Sequence, residues 1–274
     1  MIRNTLRKLK KQIELSLSPE KRDAENLRNE LEAKLRFLKD TPRYTEVSSD
    51  ILGKNTIIPD TASFLYMRDE IFKKEIYKFN SSKKDPVIID CGANIGMSVI
   101  YFKQQFPQAR LTAFEPDPHI FSILKKNVQS FGYDDITLLN NALWDSEKDL
   151  DFSSEGADAG RISSGNEKNN IKIKTLQLSK FLDQPVDLLK IDIEGAEYTV
   201  LKECQSGLKN VSKMFLEYHS FLNQEQTLDE ILSILRKAGF RYNINHIGVI
   251  SKQPFISVNS YSGMDLQLNI FAYR

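Results

Sequence analysis

Three carboxylates and one histidine stand at the ends of two apolar segments in the second half of the sequence. Asp192 and Glu194 come at the end of the segment 186–191. Glu217 and His219 come at the end of the next apolar segment. Side chains two residues apart on a strand share a face, so each pair points to one side. Because a histidine oriented by a carboxylate can take a proton from a hydroxyl group, we predict these four residues as catalytic.

The same carboxylates allow two other interpretations. Oxygen ligands suit magnesium, so Asp192, Glu194 and Glu217 could hold a divalent cation that binds acceptor hydroxyls. A salt-bridged cluster that only fixes the strand ends is the structural alternative, since charges near the centre of a sheet are costly unless paired or functional. We expect Lys190 to form an ion pair rather than to act as a base. We also expect it to lie where the acceptor binds.

A glycine-punctuated turn at residues 90–96 lies between a predicted strand and a predicted helix. Ligands of open α/β sheets bind beyond the carboxyl ends of the strands, where glycine lets the backbone come close. A dinucleotide site would carry a glycine where Asn94 stands. Asp90 would repel a pyrophosphate and suits the cationic aminoacyl end and sulfonium of S-adenosylmethionine. A methyl donor is therefore favoured over a dinucleotide.

Two further strand ends favour a nucleotide ligand. Glu115 ends the second predicted strand about 20 residues after the turn, where an acid can hydrogen-bond ribose hydroxyls. The third strand ends at Asn141 and Ala142, where a polar side chain can meet an adenine edge.

The elements that position these residues alternate between strand and helix patterns from residue 86 onward. We predict strands at 87–90, 110–114, 136–140, 186–191, 213–218, 241–245 and 266–273. We predict helices at 97–105, 118–131, 196–203 and 226–238. Apolar strands that alternate with helices predict a mostly parallel sheet covered on both faces, a Rossmann-like α/β fold. A period-two pattern within 150–178 predicts an inserted hairpin.

The first 85 residues differ from this domain, which we place at 86–274. The apolar spacing within residues 1–40 predicts two amphipathic helices, the second starting at Pro19. We interpret them as a helical hairpin or a homodimerising arm. The first helix is basic, so peripheral contact with an anionic membrane is a second interpretation. Residues 41–85 are interpreted as a bridging or lid segment that contains an aromatic-rich helix at 64–79.

Composition narrows the class of protein. The 274 residues are 41% hydrophobic and 27% charged, as in ordinary soluble proteins. Lys and Arg number 38 against 37 Asp and Glu, which leaves no general attraction for nucleic acid. The two cysteines have no metal-ligand spacing, and no apolar run reaches the roughly 20 residues that span a bilayer. We expect a cytoplasmic protein, with contact at the inner membrane face left open.

These motifs together resemble those of the FkbM-type methyltransferases, a branch of the class I S-adenosylmethionine-dependent enzymes. The resemblance runs from residue 72 to the end and rests on the segments 89–96, 113–118, 141–144, 189–197 and 215–219. Cys91 stands where that family more often has glycine or valine. The resemblance implies a seven-stranded sheet with an antiparallel final strand. It also implies O-methylation, often of sugar hydroxyls in glycans, glycolipids or secondary metabolites.

The turn, the strand ends and the resemblance together assign roles. The predicted cofactor-binding residues are Asp90, Gly92, Ala93, Asn94, Gly96, Glu115, Asn141 and Ala142. A polar loop at 156–161 falls where the family has one near its cleft, so Asp158 and Arg161 join Lys190 as predicted contacts of the acceptor, a small molecule or glycan. Two other functions stay open, a nicotinamide-dependent (NAD) oxidoreductase on the same fold and an inactive scaffold assembled through the N-terminal arm.

Overall fold

The computed structural model describes residues 19–153, 160–162 and 170–274. The chain falls into two compact units, one that extends to Leu65 and one from Tyr66 to Arg274. The predicted basic helix before Pro19 lies outside the described residues. The hairpin or dimerising arm therefore stays a prediction.

The unit that ends at Leu65 is built on one long helix and one small antiparallel hairpin. Its elements are helix α1 (Pro19–Asp40) and strands β1 (Val47–Ser49) and β2 (Thr56–Ile58). The start of α1 at Pro19 is as predicted, because proline suits the first turn of a helix. Of the leucines at helical spacing, Leu38 is buried whereas Leu27 and Leu31 are exposed.

The helix predicted at 64–79 is wrong in its second half. Helix α2 spans Thr61–Arg68 and continues only as a π-helical turn at Asp69–Lys73. Glu75 adopts a positive φ of 53°, a left-handed conformation that cannot extend a right-handed helix. The aromatic side chains beyond the turn still pack on the sheet domain, since Tyr77 stacks edge-on against Phe215 with ring centroids 4.8 Å apart.

The unit from Tyr66 onward alternates strands and helices nearly as predicted. Its main strands are β3 (Val87–Cys91), β4 (Arg110–Phe114), β5 (Ile136–Leu139), β10 (Leu188–Ile191), β11 (Lys213–Phe221), β12 (Arg241–Ile247) and β13 (Met264–Tyr273). Its helices are α3 (Met97–Gln105), α4 (Pro118–Ser130), α5 (Glu197–Cys204) and α6 (Leu228–Lys237).

These seven strands form one sheet in the order β12-β13-β11-β10-β3-β4-β5. The five strands from β11 to β5 are parallel, and β13 lies antiparallel between β11 and β12. The strand order reverses between β3 and β10. Crossovers are right-handed, so connections that run toward opposite edges of the sheet place their helices on opposite faces. The predicted Rossmann-like fold is confirmed, and its ligand crevice is expected at this reversal.

The predicted inserted hairpin is a small sheet of its own. Strands β6 (Ala142–Leu143), β7 (Asp149–Ser153), β8 (Arg161–Ile162) and β9 (Asn170–Leu176) are ordered β6-β9-β7-β8. Phe152 and Ile173 are buried together with Ala142. The insertion therefore packs on the residue that follows the third parallel strand, next to the predicted cofactor site.

The core is centred on the two strands that flank the reversal. All five residues of β3 and all four of β10 are buried, as expected for strands covered on both faces. Helix α6 buries Ile231, Ile234 and Leu235, which recur at helical spacing. It ends before Gly239, whose φ of 85° closes the helix at the predicted residue.

We predict that Gly92→Ala destabilises the protein far more than Gly132→Ala. Both glycines have positive φ, 91° and 76°, so each alanine costs about 1–2 kcal/mol of backbone strain. At Gly92 the added Cβ would lie 1.8 Å from the carbonyl oxygen of Asp192, whereas at Gly132 it meets nothing within 4 Å. We expect Gly92→Ala to cost more than about 4 kcal/mol. Urea unfolding of both variants measures this, and equal losses would contradict the close approach of the two strand ends.

Candidate active site

The glycine turn follows β3 and is hydrogen-bonded to the end of the neighbouring strand β4. The backbone N–H groups of Gly92 and Ala93 both donate to the carbonyl oxygen of Phe114, at 3.1 and 2.8 Å. Asn94 has a positive φ of 49°. Gly96 is the residue before α3, and an added Cβ there would lie 2.7 Å from Leu124 of α4. The turn is thus held in one conformation at the point where the strand order reverses.

A cleft at this point contains about 1310 Å³ of space outside protein atoms, its open mouth included. Of the predicted site residues, those on its wall are Gly92, Ala93, Asn94, Glu115, Asn141, Ala142, Lys190, Asp192, Glu194 and Glu217. Asp90, Gly96 and His219 do not line it. Gly160 lines it immediately before Arg161, which begins β8, and Asp158 lies outside the described residues.

The cleft wall is rich in acidic side chains and poor in basic ones. Among the described residues, the wall carries six carboxylates, those of Glu70, Glu115, Asp117, Asp192, Glu194 and Glu217. Lys190 is the one lysine or arginine on that described wall, and Asp90 pairs with it. Such a site attracts a cationic ligand and repels a pyrophosphate.

Lys190 joins the turn to the reaction site, as the predicted ion pair requires. Its buried Nζ lies 3.1 Å from Asp90 Oδ1 and 3.5 Å from Asp192 Oδ2. It also donates to the carbonyl oxygen of Gly92 at 2.8 Å. Burial opposes the charge of Lys190, but these carboxylates hold its pKa well above the usual value. Ser98 donates to the second oxygen of Asp90 at 2.5 Å. Asp90 therefore lies beneath the cleft wall, where it is held by Ser98 and Lys190.

Glu115 is fixed by backbone donors on both of its oxygens. It accepts the N–H of Asn94 and the N–H of Asp117, each at 2.9 Å. Burial raises its pKa to about 8, although the N–H of Asp117 acts in the opposite direction. Its side chain still reaches the cleft wall, the position the sequence predicts for an acid that binds ribose hydroxyls.

His219 is enclosed by carboxylates, as predicted, but behind the cleft wall. Its Nδ1 lies 2.9 Å from Glu197, and its Nε2 lies 3.4 Å from Glu217 and 3.7 Å from Glu194. Burial opposes its charge, yet Glu194 and Glu197 raise its pKa well above the usual value. The structure thus favours a cationic imidazolium that holds these acids together.

Glu197 is a partner of His219 that the sequence-based assignment missed. It is buried, begins α5 and also accepts the N–H of Gly195 at 3.0 Å. The signal for it is its place two residues after Gly195 in the 189–197 motif. Gln267 is a second missed partner, since its Nε2 donates to Glu217 at 2.5 Å.

Besides Glu115, two carboxylates on the wall have pKa values near neutrality. Burial, with the charge of Glu217, raises the pKa of Asp192 to about 7. Burial likewise raises the pKa of Glu194 to about 8, although His219 opposes it. Burial also acts on Glu217, but its hydrogen bond with His219 leaves its pKa below the usual value. Groups that titrate near pH 7 in a cleft are typical of proton transfer.

Three residues of the same cluster are close enough together to hold a cation. Asp192, Glu194 and His219 each offer one ligand atom, and the three atoms lie within 4.8 Å of one another. The predicted third ligand, Glu217, is not in this group, and its Oε1 is bound by Gln267.

The residues of the cleft fit S-adenosylmethionine. The six carboxylates suit a sulfonium and an ammonium group, and the turn residues Gly92, Ala93 and Asn94 all lie on the cleft wall. Phe114, Ile120 and Leu143 supply apolar wall for an adenine ring. The fold and the site thus define the class of Rossmann-like enzymes that use a cationic nucleotide donor.

Comparison with known proteins gives the family. A family model described as the methyltransferase FkbM domain matches residues 90–242, more than half of the chain. The chain therefore belongs to this methyltransferase family, which confirms the resemblance seen in its motifs. A nicotinamide-dependent oxidoreductase is not the class of this chain.

Several curated proteins are similar to the chain. Methyltransferase 1 of Beauveria bassiana is 29% identical over 50% of this chain and 66% of its own length. The 2-O-methyltransferase NoeI of Sinorhizobium fredii is 28% identical over 50% of this chain and 64% of its own length. The hexuronic acid methyltransferase AglP of Haloferax volcanii is 26% identical over 51% of this chain and 58% of its own length. The chain thus spans about two thirds or less of these relatives.

The chain is also similar to solved structures. The methyltransferase FkbM of Methylobacillus flagellatus matches 73% of this chain and 46% of that chain, with 17% identity and a TM-score of 0.48.

We predict that Glu115→Ala weakens binding of S-adenosylhomocysteine at least about tenfold, since hydrogen bonds to a charged or buried acid are the costly ones to lose. The variant also frees the N–H groups of Asn94 and Asp117 that shape the turn. Glu225→Ala, at an exposed position, is the matched control and should bind as the parent does. Calorimetric titration measures both, and unchanged affinity in the Glu115 variant would remove Glu115 from the donor site.

Proposed function

We propose that this chain transfers the methyl group of S-adenosylmethionine to a hydroxyl group of a sugar-containing acceptor, a glycan, glycolipid or secondary metabolite. The proposal is carried by one cleft, whose wall contains both the glycine turn at residues 92–94 and carboxylates with pKa values near 7. Asp192 is part of both, because it contacts Lys190 beneath the turn and lines the cleft.

The bound donor supplies an electrophilic methyl group, and the protein has to remove the proton of the attacking hydroxyl. We assign proton acceptance to a carboxylate oxygen of Asp192, with Glu194 and Glu217 orienting the hydroxyl. His219 lies behind these groups, so we assign it to holding Glu194 and Glu217 in place rather than to direct contact with the acceptor. A base poised near the working pH is the most efficient one for this step.

A divalent cation such as magnesium is the alternative way to activate the hydroxyl. Asp192, Glu194 and His219 would hold it, and it would bind the acceptor oxygen and acidify its proton. This route requires His219 to be neutral, which the surrounding carboxylates oppose. We therefore favour the carboxylate route.

A sugar acceptor is supported by the polarity of the cleft and by two relatives. Carboxylates and the side-chain amides of Asn141 and Asn269 line the cleft, and such groups bind hydroxyls. The names of NoeI and AglP specify 2-O-methylation and a hexuronic acid for those proteins. An inactive scaffold is disfavoured, because the turn and the carboxylate cluster are both assembled.

Assembly and membrane contact through the first helix stay predictions, as do the cytoplasmic location and the domain limits at residues 40 and 85. Within the described ranges, no helix is long and apolar enough to cross a membrane.

We predict that methyl transfer rises with pH between about 6 and 8 and that Asp192→Asn removes at least about a hundredfold of the rate. The direction follows from the sign of the shift, because the basic form of a carboxylate with a pKa of about 7 appears only above that pH. Transfer of a labelled methyl group to a panel of pyranosides measures the profile. Asp183→Asn, at an exposed position, is the matched control and should keep the parent rate and profile.

A chelator added to the same assay separates the two routes. Activity that survives EDTA is expected for the carboxylate route. Loss of activity that magnesium restores would contradict it and assign the cation to Asp192, Glu194 and His219. A pH-independent rate would contradict proton transfer to Asp192.

A further inference from the structure

The polar wall of the cleft continues past the reaction carboxylates onto the antiparallel strand β13. Glu217 on β11 is paired in register with Asn269 on β13, and both line the cleft. Directly opposed residues of an antiparallel pair share a face, with Cβ atoms about 4.5–5.5 Å apart. The turn at Gly92 follows β3, and two strands, β11 and β10, lie between β13 and β3. This end of the cleft is therefore separate from the donor end.

Asn269 has an unused hydrogen-bond acceptor. Its side chain is only 4% exposed, and its buried Oδ1 has no hydrogen-bond partner among the described residues. Buried amide oxygens are nearly always paired, so an unpaired one on a cleft wall indicates a group that a ligand satisfies.

The position of Asn269 distinguishes it from the other buried atoms without a partner. In the described part of the chain, buried atoms without a hydrogen-bond partner belong to Arg68, Asp90, Tyr101, Glu230 and Asn269, and the Asp90 atom is ion-paired with Lys190. Only Asn269 of these five lines the cleft. The missing partner of Asn269 is therefore expected to enter through the cleft.

Asn269 and Glu217 offer complementary chemistry. A carboxamide both donates and accepts, whereas an ionised carboxylate only accepts. Gln267 and His219 already hold one oxygen of Glu217, which fixes the direction of that carboxylate. Two side chains at this spacing match two hydroxyl groups on adjacent carbon atoms, since each hydroxyl can donate one hydrogen bond and accept another.

We propose that Asn269 and Glu217 form a subsite that binds a vicinal diol of the acceptor, as found on a pyranose ring. The subsite rests on the proposed function and adds the feature of the acceptor that is recognised. Asp192 follows Ile191, which pairs with Leu216, so Asp192 stands beside Glu217 in the next strand. Binding of the diol would thus determine which neighbouring hydroxyl group of the acceptor contacts Asp192.

The test uses Asn269→Leu, which removes both hydrogen-bonding functions and keeps the branched shape and number of heavy atoms of the side chain. Asn245→Leu is the matched control, because Asn245 pairs with Asn269 from the edge strand β12 but is exposed and does not line the cleft. Both variants should bind S-adenosylhomocysteine within about twofold of the parent chain, since the donor end is unchanged. Asn269→Ala replaces the leucine variant where the latter does not fold, and the same result is expected of it.

Saturation-transfer NMR then measures binding of methyl pyranosides of gluco, galacto, manno and glucuronic configuration to the donor-product complex. We expect at least one of these sugars to bind the parent and Asn245→Leu. Its affinity should fall about tenfold or more in Asn269→Leu, the loss expected for an unmade hydrogen bond at a buried site. A monodeoxy analogue that lacks the contacted hydroxyl should lose affinity for the parent but no further affinity for Asn269→Leu.

Three results would overturn the subsite. One is undiminished sugar binding by Asn269→Leu, and another is loss of S-adenosylhomocysteine affinity in that variant, which would assign Asn269 to the donor. The third is a parent chain that binds S-adenosylhomocysteine but none of the four sugars. Failure of the parent to bind S-adenosylhomocysteine is a different outcome, because it overturns the proposed methyl transfer itself.

Discussion

The site depends on the ion pairs and the hydrogen bond of one buried group, the ammonium group of Lys190. A charge at the centre of a sheet is tolerated only when it is paired, and here Asp90 and Asp192 pair it from two different strands. The same Nζ donates to the carbonyl of Gly92. Because one cation binds the turn of β3 and the carboxylate after β10, the donor end and the reaction end of the cleft have fixed relative positions.

With Lys190 neutralised by Asp90, the other groups on the described cleft wall that can carry charge near neutral pH are carboxylates. This imbalance explains two properties together. It favours a cationic donor over a pyrophosphate, and it lets burial and mutual repulsion raise the pKa values of Asp192 and Glu194 toward neutrality. His219 limits the repulsion from behind, so Glu217 stays ionised beside groups that can exchange a proton.

Strand ends were predictable because their residues carry two independent signals. Apolar runs such as β3 and β10 specify buried parallel strands, and a polar residue directly after them specifies a ligand site. The segment after Arg68 shows the opposite case, since its aromatic residues suit a helix but Glu75 leaves the helical conformation. Tyr77, two residues beyond Glu75, packs instead against Phe215 of the sheet.

The sequence by itself determined the fold class, and it predicted a donor turn and four reaction residues that the structure brings together, because strand periodicity and turn chemistry are local properties. Only the tertiary structure decided which groups face the cleft. His219 lies behind the wall, Glu197 is its nearest partner, and Asn269 reaches the cleft from β13. These assignments depend on pairing between strands far apart in sequence, and on burial that no local pattern encodes.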